Sequence, residues 1–309
     1  MLMTNYSFVV PVYRGEKTIG RLFADIKREM DRLRFSFEVI FVWDCGRDNS
    51  WSVIQDLCKE FPGVVRGVSL TRNFGQHNAI IAGIDAANGE FIITMDEDLQ
   101  HSAKDIEKLI IKQKEGDYDL VYGNYSEREH NWFRNITSKI MKKALAVGIP
   151  ELHPDYTSFR ILKTEIAKHT TEMSNSYTFL DGYLSWITSN VASVSVSHSQ
   201  SEAGSSSYTL MKLINHSINV FVTFSDLPVR FLTVSSFGIF GLSIIYTIYV
   251  ILRKLIFNDF VSGFATFAII LGFGIGSILM GLGIIGEYIH RINMKSTKRP
   301  NFLVRKEVK

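Results

Sequence analysis

The sequence has little cysteine and no strong excess of charge. Two cysteines, Cys45 and Cys58, occur in 309 residues, and the formal net charge is +3. Two cysteines provide neither a disulfide framework nor the ligand spacing of a structural metal site. The small net charge, with no basic block in the first 200 residues, argues against nucleic acid as a partner. We therefore expect the polar part of the chain to face a reducing compartment, the cytosol.

The amino terminus lacks the features of a secretory signal. The segment MLMTNYSFVVPVY has no basic start, and its apolar run before Pro11 is short. A signal peptide combines a basic segment with a longer apolar one. We therefore interpret this segment as the first strand of a domain.

Long apolar runs without charge are absent until the last third of the chain. Residues 231–252 and 264–286 then form two uncharged runs of more than 20 residues each. A helix of about 20 residues spans the roughly 30 Å hydrocarbon core of a bilayer, so we predict a transmembrane hairpin over 230–290. Gly272 and Gly276 form a G-x-x-x-G motif, which permits close helix contact within the hairpin or in a homo-oligomer.

The segment after the hairpin, 291–309, is basic. It contains one acid, Glu307, and seven basic residues: Arg291, Lys295, Lys298, Arg299, Arg305, Lys306 and Lys309. The loop that connects the two spans carries Arg253, Lys254 and Asp259, so the larger positive excess lies on the side of the tail. The positive-inside rule then predicts a multi-pass protein of the inner (plasma) membrane with its large domain and its tail in the cytoplasm.

The first 205 residues alternate between apolar strands and helical segments. Predicted strands cover 7–13, 37–43, 64–70, 91–96 and 119–123, and predicted helices cover about 18–33, 50–61, 76–87 and 103–115. This alternation predicts an α/β domain over 1–205 with a mostly parallel sheet. Ligands of such domains bind beyond the carboxyl ends of the strands.

The pattern is less regular after residue 125. We predict helices near 133–147 and 163–172 and a strand near 191–198. Apolar residues at helical spacing then indicate an amphipathic helix over 206–229. Such a helix either lies along a membrane interface or packs on the soluble domain.

An acidic cluster, TMDEDLQHS (94–102), directly follows the fourth predicted strand. In an extended segment Asp96 and Asp98 leave on one side, Glu97 leaves on the other, and Gln100 continues the first side. Mg²⁺ and Mn²⁺ combine one or two carboxylates with substrate phosphates, so this spacing suits a divalent ion that binds a diphosphate. The alternative is a solvated acidic loop ahead of the next helix, where acids are also favourable.

Polar residues also follow the first two strands. Asp44 and Asp48 lie in WDCGRDNSW, and Pro11 and Tyr13 end the first strand. A carboxylate there is able to accept from a nucleobase or a ribose hydroxyl, and Tyr13 is able to stack on a base. The alternatives are a turn rich in Asp, Gly and Asn and an ordinary strand end.

Several stretches together resemble one family: PVYRGEKTI, WDCGRDNSW, TRNFGQHNAIIAGIDAANGEFIITMDEDLQHS and, near the end, GEYIHRI followed by KRP. They are similar to family 2 glycosyltransferases of the polyprenyl-phosphate sugar synthase type, which includes dolichyl-phosphate mannose synthases and bactoprenol glucosyltransferases. The resemblance covers nearly the whole chain, and MDEDLQ is its most specific part. It implies a GT-A (Rossmann-like) fold, a nucleotide-sugar donor, Mg²⁺ or Mn²⁺, and a polyprenyl phosphate acceptor in the membrane.

The resemblance also implies roles for individual residues. Those implied to contact the nucleotide sugar are Pro11, Tyr13, Asp44 and Asp96, and those implied to form the metal site are Asp96, Asp98 and Gln100. Asp98 and Asp155 are the implied catalytic residues, with Asp155 in the motif DYTSFR near the reacting centre. The residues implied to hold the lipid phosphate are Arg128, Arg134, Ser138 and Arg160. An Arg fork matches phosphate oxygens in pairs, but a solvated basic helix face is the alternative for Arg134.

The chain departs from the family where basic residues usually precede the interface helix. Ser201 and Ser207, in SEAGSSSY, occupy those places, which puts cationic contacts from that loop to the donor diphosphate in doubt. Arg72 or a residue of the tail is the expected substitute. The departure also leaves open a second function, a membrane-anchored scaffold that binds a nucleotide sugar without turnover. A polysaccharide-extending synthase is disfavoured because the chain has two predicted spans and no Q-x-x-R-W segment.

The implied reaction is transfer of a sugar, with inversion at the anomeric carbon, from a uridine nucleotide to undecaprenyl phosphate. A lipid monophosphate is already largely a dianion at neutral pH. A strong general base is therefore dispensable, and the protein has to align the reactants and stabilise the leaving diphosphate.

Overall fold

An α/β domain precedes two long helices in the computed structural model, which describes residues 5–125, 149–173, 177–197, 219–220, 223–225, 227–257, 263–296 and 300–309. The strands are β1 (Tyr6–Val12), β2 (Phe37–Trp43), β3 (Val65–Leu70), β4 (Phe91–Thr94), β5 (Leu120–Tyr125), β6 (Arg160–Lys163), β7 (Val191–Val196) and β8 (Val304–Val308). The helices are α1 (Ile19–Leu33), α2 (Ser50–Glu60), α3 (Gln76–Ala86), α4 (Ile106–Gly116), α5 (Thr164–Glu172), α6 (Leu180–Ile187), α7 (Leu227–Phe257) and α8 (Phe264–Ser296).

These bounds confirm the predicted alternation of strands and helices to within a few residues. The strand predicted for 91–96 ends earlier, at Thr94, and the helix predicted from 103 starts with a 3₁₀ turn, Ala103–Asp105. The helix predicted near 133–147 and most of the amphipathic segment 206–229 lie outside the described residues.

The eight strands form one mixed sheet in the order β7-β5-β6-β4-β1-β2-β3-β8. Four of its pairings are parallel, namely β1 with β2, β1 with β4, β2 with β3, and β5 with β7. Strand β6 runs antiparallel between β4 and β5, and β8 runs antiparallel to β3 at the edge. The sheet is therefore mostly parallel, as predicted, with two antiparallel strands that the sequence pattern did not indicate.

Helices cover both faces of the sheet. Helices α1, α2 and α4 pack on one face, and α3, α5 and α6 pack on the other, so each face has its own apolar core. Strand β1 is buried along its whole length. This explains its nearly continuous apolar sequence, which is typical of a strand covered on both faces. The layering places the carboxyl ends of β1, β2 and β4 at one edge of the domain.

Helices α7 and α8 present apolar side chains that the described protein does not cover. Val229–Arg253 and Gly274–Asn293 are long and apolar enough to cross a membrane, and neither is buried within the protein. Phe237 is 73% exposed and Leu255 is 75% exposed. A large uncovered apolar surface needs a partner or a lipid environment.

The segment before α7 packs on the α/β domain where it is described. Phe224 is buried, and its ring lies 4.7 Å from that of Trp186 at the end of α6. The same segment contacts α8, because Tyr288 donates its hydroxyl to the Ser225 carbonyl at 3.3 Å and Arg291 donates to Thr223 Oγ1 at 2.7 Å. These residues therefore fix the ends of the long helices against the α/β domain.

Candidate active site

A cavity of about 210 Å³ opens at the carboxyl ends of β1, β2 and β4. Its lining comprises Pro11, Val12, Tyr13, Asp44, Gln76, Asp96, Glu97 and Asp98. Five of the residues predicted for the donor and the metal thus meet in one place, although they come from three separate stretches of sequence. A second cavity, about 540 Å³ between α1 and α2, has none of the predicted site residues in its lining.

Asp96 follows β4 and is held from both sides. Gln76 Nε2 donates to its Oδ1 at 2.7 Å, and Ser158 Oγ donates to its Oδ2 at 2.5 Å. His101 Nε2 lies 3.4 Å from the same Oδ2. Burial raises the pKa of the Asp96 carboxyl, and the bond from Ser158, the charge of Arg160 and the bond from Gln76 oppose that rise. The site therefore presents this carboxylate in one fixed orientation.

Asp98 lies at a turn and not in an extended segment. Leu99 has a positive φ of 61°, and the backbone N–H of Gln100 donates to Asp98 Oδ1 at 3.1 Å. Burial raises the pKa of Asp98, and repulsion from Asp96 adds to the rise. The extension that would place Gln100 beside the two aspartates ends before this residue, and the cavity lining does not include it.

Glu97 lines the same cavity as Asp96 and Asp98, although an extended segment would have directed it to the other side, and it has a supporting role that the sequence did not reveal. Its carboxylate accepts from the backbone N–H of Tyr13 at 3.2 Å and from that of Arg14 at 3.0 Å. A Cβ at Gly15 would lie 2.4 Å from Glu97 Oε2, so this glycine is needed for the close approach. Glu97 thus ties the loop after β1 to the acidic turn after β4.

Asp44, at the end of β2, joins the cavity to the start of α3. Its carboxylate accepts from the backbone N–H groups of Phe74 at 2.7 Å and Gly75 at 2.8 Å. Burial raises the pKa of Asp44, and these two bonds oppose the rise. Gly46 lies so close to the loop after β1 that a Cβ there would meet the Tyr13 carbonyl oxygen at 1.5 Å. The loops after β1 and β2 therefore pack tightly against each other beside the cavity.

Asp48 takes part in the packing of these loops. It accepts from the Glu16 backbone N–H at 3.1 Å and from the Ser50 hydroxyl. The turn interpretation therefore accounts for Asp48 among the contacts described.

The residues predicted for the acceptor side are not gathered in this cavity. Arg128, Arg134 and Ser138 lie outside the described residues. Asp155 accepts from the Ser193 hydroxyl on β7 at 2.8 Å and does not line the cavity. On the donor side, Arg72 does not line the cavity either. It is exposed, with its guanidinium 4.6 Å from the centre of the Phe74 ring.

Arg160 is a correction to the predicted lipid-phosphate set. It is 1% exposed, pairs with the buried Asp181 on α6, and donates to Thr94 Oγ1 at 3.1 Å. A guanidinium enclosed in this way does not reach a lipid headgroup. The sequence motif DYTSFR indicated a functional position, but β6 directs Arg160 into the interior.

The carboxylates of the cavity fit a divalent ion that takes its remaining ligands from the phosphate groups of a bound substrate. Among the described residues, no three His, Cys, Asp or Glu side chains are grouped so that they could hold a metal ion by themselves. Asp96 and Asp98 nevertheless line the same cavity. One or two carboxylates with phosphate oxygens are the usual protein setting for Mg²⁺.

Three polar residues around Asp96 were missed as site residues. Gln76 comes from the first turn of α3, Ser158 from the segment before β6, and His101 from the end of the acidic stretch. Gln76 and His101 lie within the stretch that carries the family resemblance, and Ser158 lies within DYTSFR. That membership was the available signal, since local spacing does not relate these residues to Asp96.

Relatives of this chain match it over nearly its whole length. The undecaprenyl-phosphate 4-deoxy-4-formamido-L-arabinose transferase of Shewanella sediminis (strain HAW-EB3) is 32% identical over 303 residues, which cover 96% of this chain and 91% of the relative. The bactoprenol glucosyl transferase of Shigella phage SfV is 29% identical over an alignment of 310 residues, which covers 97% of this chain and 98% of the relative.

Solved structures share the fold of the α/β domain. Glucosyl-3-phosphoglycerate synthase from Mycobacterium tuberculosis, solved with Mn²⁺, uridine-diphosphate-glucose and phosphoglyceric acid, matches with a TM-score of 0.54 and 18% identity, covering 72% of this chain and 78% of that one. Mannosyl-3-phosphoglycerate synthase from Rubrobacter xylanophilus also has a TM-score of 0.54, with 14% identity over 70% of this chain and 71% of that one. The predicted GT-A fold is confirmed.

The family model described as "Glycosyl transferase family 2" matches residues 7–176, more than half of the chain. This range includes β1 except its first residue, Tyr6, all of β2 to β6, and every residue that lines the cavity. The chain belongs to glycosyltransferase family 2.

Proposed function

We propose that the protein transfers a sugar from a nucleotide-diphosphate sugar, a uridine nucleotide, to undecaprenyl phosphate. The product is a polyprenyl-phosphate sugar that serves as a donor for modification of cell-envelope glycans. The observation that carries this proposal is the similarity to relatives named for undecaprenyl phosphate and bactoprenol, which extends over 96% and 97% of the chain and so includes the two long helices.

The donor side of the proposal rests on the acidic cavity. A divalent ion, Mg²⁺ or Mn²⁺, held by Asp96 and Asp98 would supply positive charge beside the departing diphosphate. Gln76 and Ser158 hold the Asp96 carboxylate in place through the bonds described above. The nucleoside would bind to Pro11, Tyr13 and Asp44. All three line the same cavity as the acids after β4, at the ends of the next two strands, β1 and β2.

The acceptor side needs little acid or base chemistry. An oxygen of the lipid phosphate forms the bond to the anomeric carbon as the bond from that carbon to the diphosphate oxygen breaks. The electron pair leaves with the nucleoside diphosphate, and the displacement inverts the anomeric centre. The phosphate monoester has its second pKa near 6, so the nucleophile is already ionised. From the family resemblance we propose that Arg128, Arg134 and Ser138 hold this phosphate and that Asp155 orients the acceptor or a sugar hydroxyl.

We further propose that α7 and α8 both cross the inner membrane, with the α/β domain on the cytoplasmic side. The pairing of β8 with β3 supports this topology, because β8 follows the hairpin and β3 precedes it. Both ends of the hairpin must then lie on one side of the bilayer. The basic residues that follow α8 favour the cytoplasm for that side.

A product analysis tests the function. Membranes containing the protein are incubated with a panel of nucleotide sugars, undecaprenyl phosphate and Mg²⁺ or Mn²⁺, and the lipids are identified by mass. We expect one donor to yield a polyprenyl-phosphate sugar and an equal amount of nucleoside diphosphate. Binding of a nucleotide sugar with no lipid product from any donor would favour the scaffold function instead.

A further inference from the structure

The C-terminal segment of the chain is part of the α/β domain. Strand β8 pairs antiparallel with β3, and the backbone N–H of Thr71 donates to the Leu303 carbonyl at 2.9 Å. Val308 packs against the core on the α1 and α2 side of the sheet. Main-chain pairing and side-chain packing thus hold the segment at the sheet edge. The sequence had indicated a basic tail there.

The pairing of β8 with β3 is irregular at one residue, Arg305. Lys306 lies opposite Ser69, whereas Val304 lies opposite Leu70, so the register shifts between these pairs and Arg305 has no opposite residue in the ladder. An extra residue of this kind forms a β-bulge, which bends the strand and redirects a side chain. Bulges are common beside active sites.

The redirected side chain lies at the edge of the sheet where the candidate active site opens. The Arg305 guanidinium donates to the Thr71 carbonyl at 2.9 Å, directly beyond the carboxyl end of β3. Cys45, next to Asp44, joins the same region because its thiol donates to the Leu70 carbonyl at 3.1 Å. Burial raises the pKa of the Cys45 thiol, and the charge of Arg305 opposes that rise, which is consistent with their proximity.

The order of the strands assigns this region to one end of a bound donor. From Asp96 the strand ends follow as β4, β1, β2, β3 and β8. Neighbouring strands are about 4.8 Å apart, so Asp44 on β2 lies roughly 10 Å along the edge from the acids. That spacing suits a diphosphate at the acids and a base near Asp44. Arg305 does not itself line the cavity, and in this arrangement it would lie on the side of the base, away from the diphosphate.

We propose that Arg305 binds the nucleobase of the donor by donating to a ring carbonyl oxygen, while Asp44 accepts from the neighbouring ring N–H. This inference rests on the proposed nucleotide-sugar function and adds a residue that determines base specificity. A guanidinium has five N–H donors, so its bond to Thr71 fixes its plane without exhausting them. An ionised carboxylate has about four acceptor positions, so the two backbone bonds to Asp44 leave capacity for a base.

The pairing of donor and acceptor selects among bases. Uracil and guanine present a ring N–H beside a carbonyl oxygen, which matches a carboxylate next to a guanidinium. In the same pose cytosine presents its unprotonated N3 to the Asp44 carboxylate. Its exocyclic amino group reaches that carboxylate only if the base shifts, which places N3 and not a carbonyl oxygen before Arg305. We therefore expect a preference for uridine or guanosine nucleotides over cytidine nucleotides.

Binding of nucleoside diphosphates to the full-length protein in nanodiscs, with Mn²⁺ present, tests this role. The probes are UDP, GDP, CDP and inorganic diphosphate, and the variants are Arg305→Gln, Arg305→Lys and the neighbouring control Lys306→Gln. We expect Arg305→Gln to weaken the preferred nucleotide about ten-fold and to reduce its preference over CDP, with inorganic diphosphate unchanged. The affinity of Arg305→Lys for the preferred nucleotide should lie between that of Arg305→Gln and that of the unchanged protein. Lys306→Gln should bind like the unchanged protein.

The outcomes separate this inference from the proposed function. Equal weakening of nucleotide and inorganic diphosphate by Arg305→Gln would overturn the base contact, because loss of β8 or of the whole site acts on both probes. Unchanged nucleotide affinity and preference in Arg305→Gln would overturn it as well. If the unchanged protein binds the probes without preferring UDP or GDP over CDP, the inference fails and the proposed function stands. If it binds none of them, both fail.

Discussion

The side-chain amide of Gln76 donates to Oδ1 of Asp96 across 2.7 Å and so connects the first turn of α3 with the acidic turn after β4. Ser158 donates to the other oxygen of the same carboxylate. Two separate elements therefore set the direction of the side chain that we propose as a metal ligand. Polar partners of this kind commonly orient a ligand and tune its affinity.

Replacement of Gln76 by alanine should lower kcat/KM about ten-fold, because Asp96 loses one of its two orienting bonds. The thermal unfolding midpoint should change little, since Gln76 is exposed. Release of nucleoside diphosphate from the active donor measures the rate. Asp85→Ala, at an exposed position on the same helix, is the control and should keep full activity. Activity within two-fold of the control would show that Ser158 suffices to orient Asp96.

The loop after β1 should not tolerate a side chain at Gly15. A Cβ there would lie 2.4 Å from Glu97 Oε2 and 2.8 Å from Ile19 Cγ1, and such overpacking typically costs about 1–3 kcal/mol. Gly20→Ala is the matched control, because it lies in α1 with nothing within 4 Å of its Cβ position. That substitution should stabilise the helix by roughly 0.5–1 kcal/mol. Chemical denaturation measures the free energy of unfolding of both variants. Equal values for the two variants would contradict this packing.

Arg160→Met should be strongly destabilising. It leaves Asp181, which is 4% exposed, without its cation, and breaking a buried ion pair from one side costs roughly 3–5 kcal/mol. The double variant Arg160→Met, Asp181→Leu removes both charges and should recover most of the loss. The free energy of unfolding measures both variants. A double variant as unstable as the single one would contradict the ion-pair explanation.

Asp155→Asn tests the proposal for the acceptor side. If its charge orients the acceptor or a sugar hydroxyl, turnover should fall about a hundred-fold, because small misplacements at a reacting centre are costly. Ser193→Ala removes the bond that Asp155 accepts in this structure and should leave turnover within a few-fold. Steady-state turnover of both variants tests this role. Equal and small losses of turnover in the two variants would show that Asp155 is a structural residue.

The alternation of strands and helices was predictable because β1 to β5 are apolar runs of the length expected for buried strands. Strand β6 was not, because its four residues contain Arg160 and Lys163, and antiparallel insertion between β4 and β5 depends on contacts distant in sequence. Strand β8, VRKEV, reads as a charged tail. Charged residues are common on edge strands, so composition alone did not reveal its pairing.

The acids of the site were predictable because they directly follow a strand and are two residues apart. Their direction was predictable in part, since the turn at Leu99 ends the extension that the prediction carried on to Gln100. Gln76 and Ser158 lie 20 and 62 residues from Asp96 in sequence. No periodicity relates them to it, and the fold alone brings them together.

We propose above all that Asp96 and Asp98 hold a divalent ion together with a nucleoside diphosphate. Electron paramagnetic resonance of Mn²⁺ with the full-length protein tests it directly, with and without UDP. We expect tight Mn²⁺ binding only when UDP is present. In Asp98→Asn the affinity for Mn²⁺ should fall by about ten-fold or more. Asp56→Asn, which changes an exposed acid on α2, should bind Mn²⁺ as the unchanged protein does. Mn²⁺ binding that is the same in Asp98→Asn and in the unchanged protein would contradict the account.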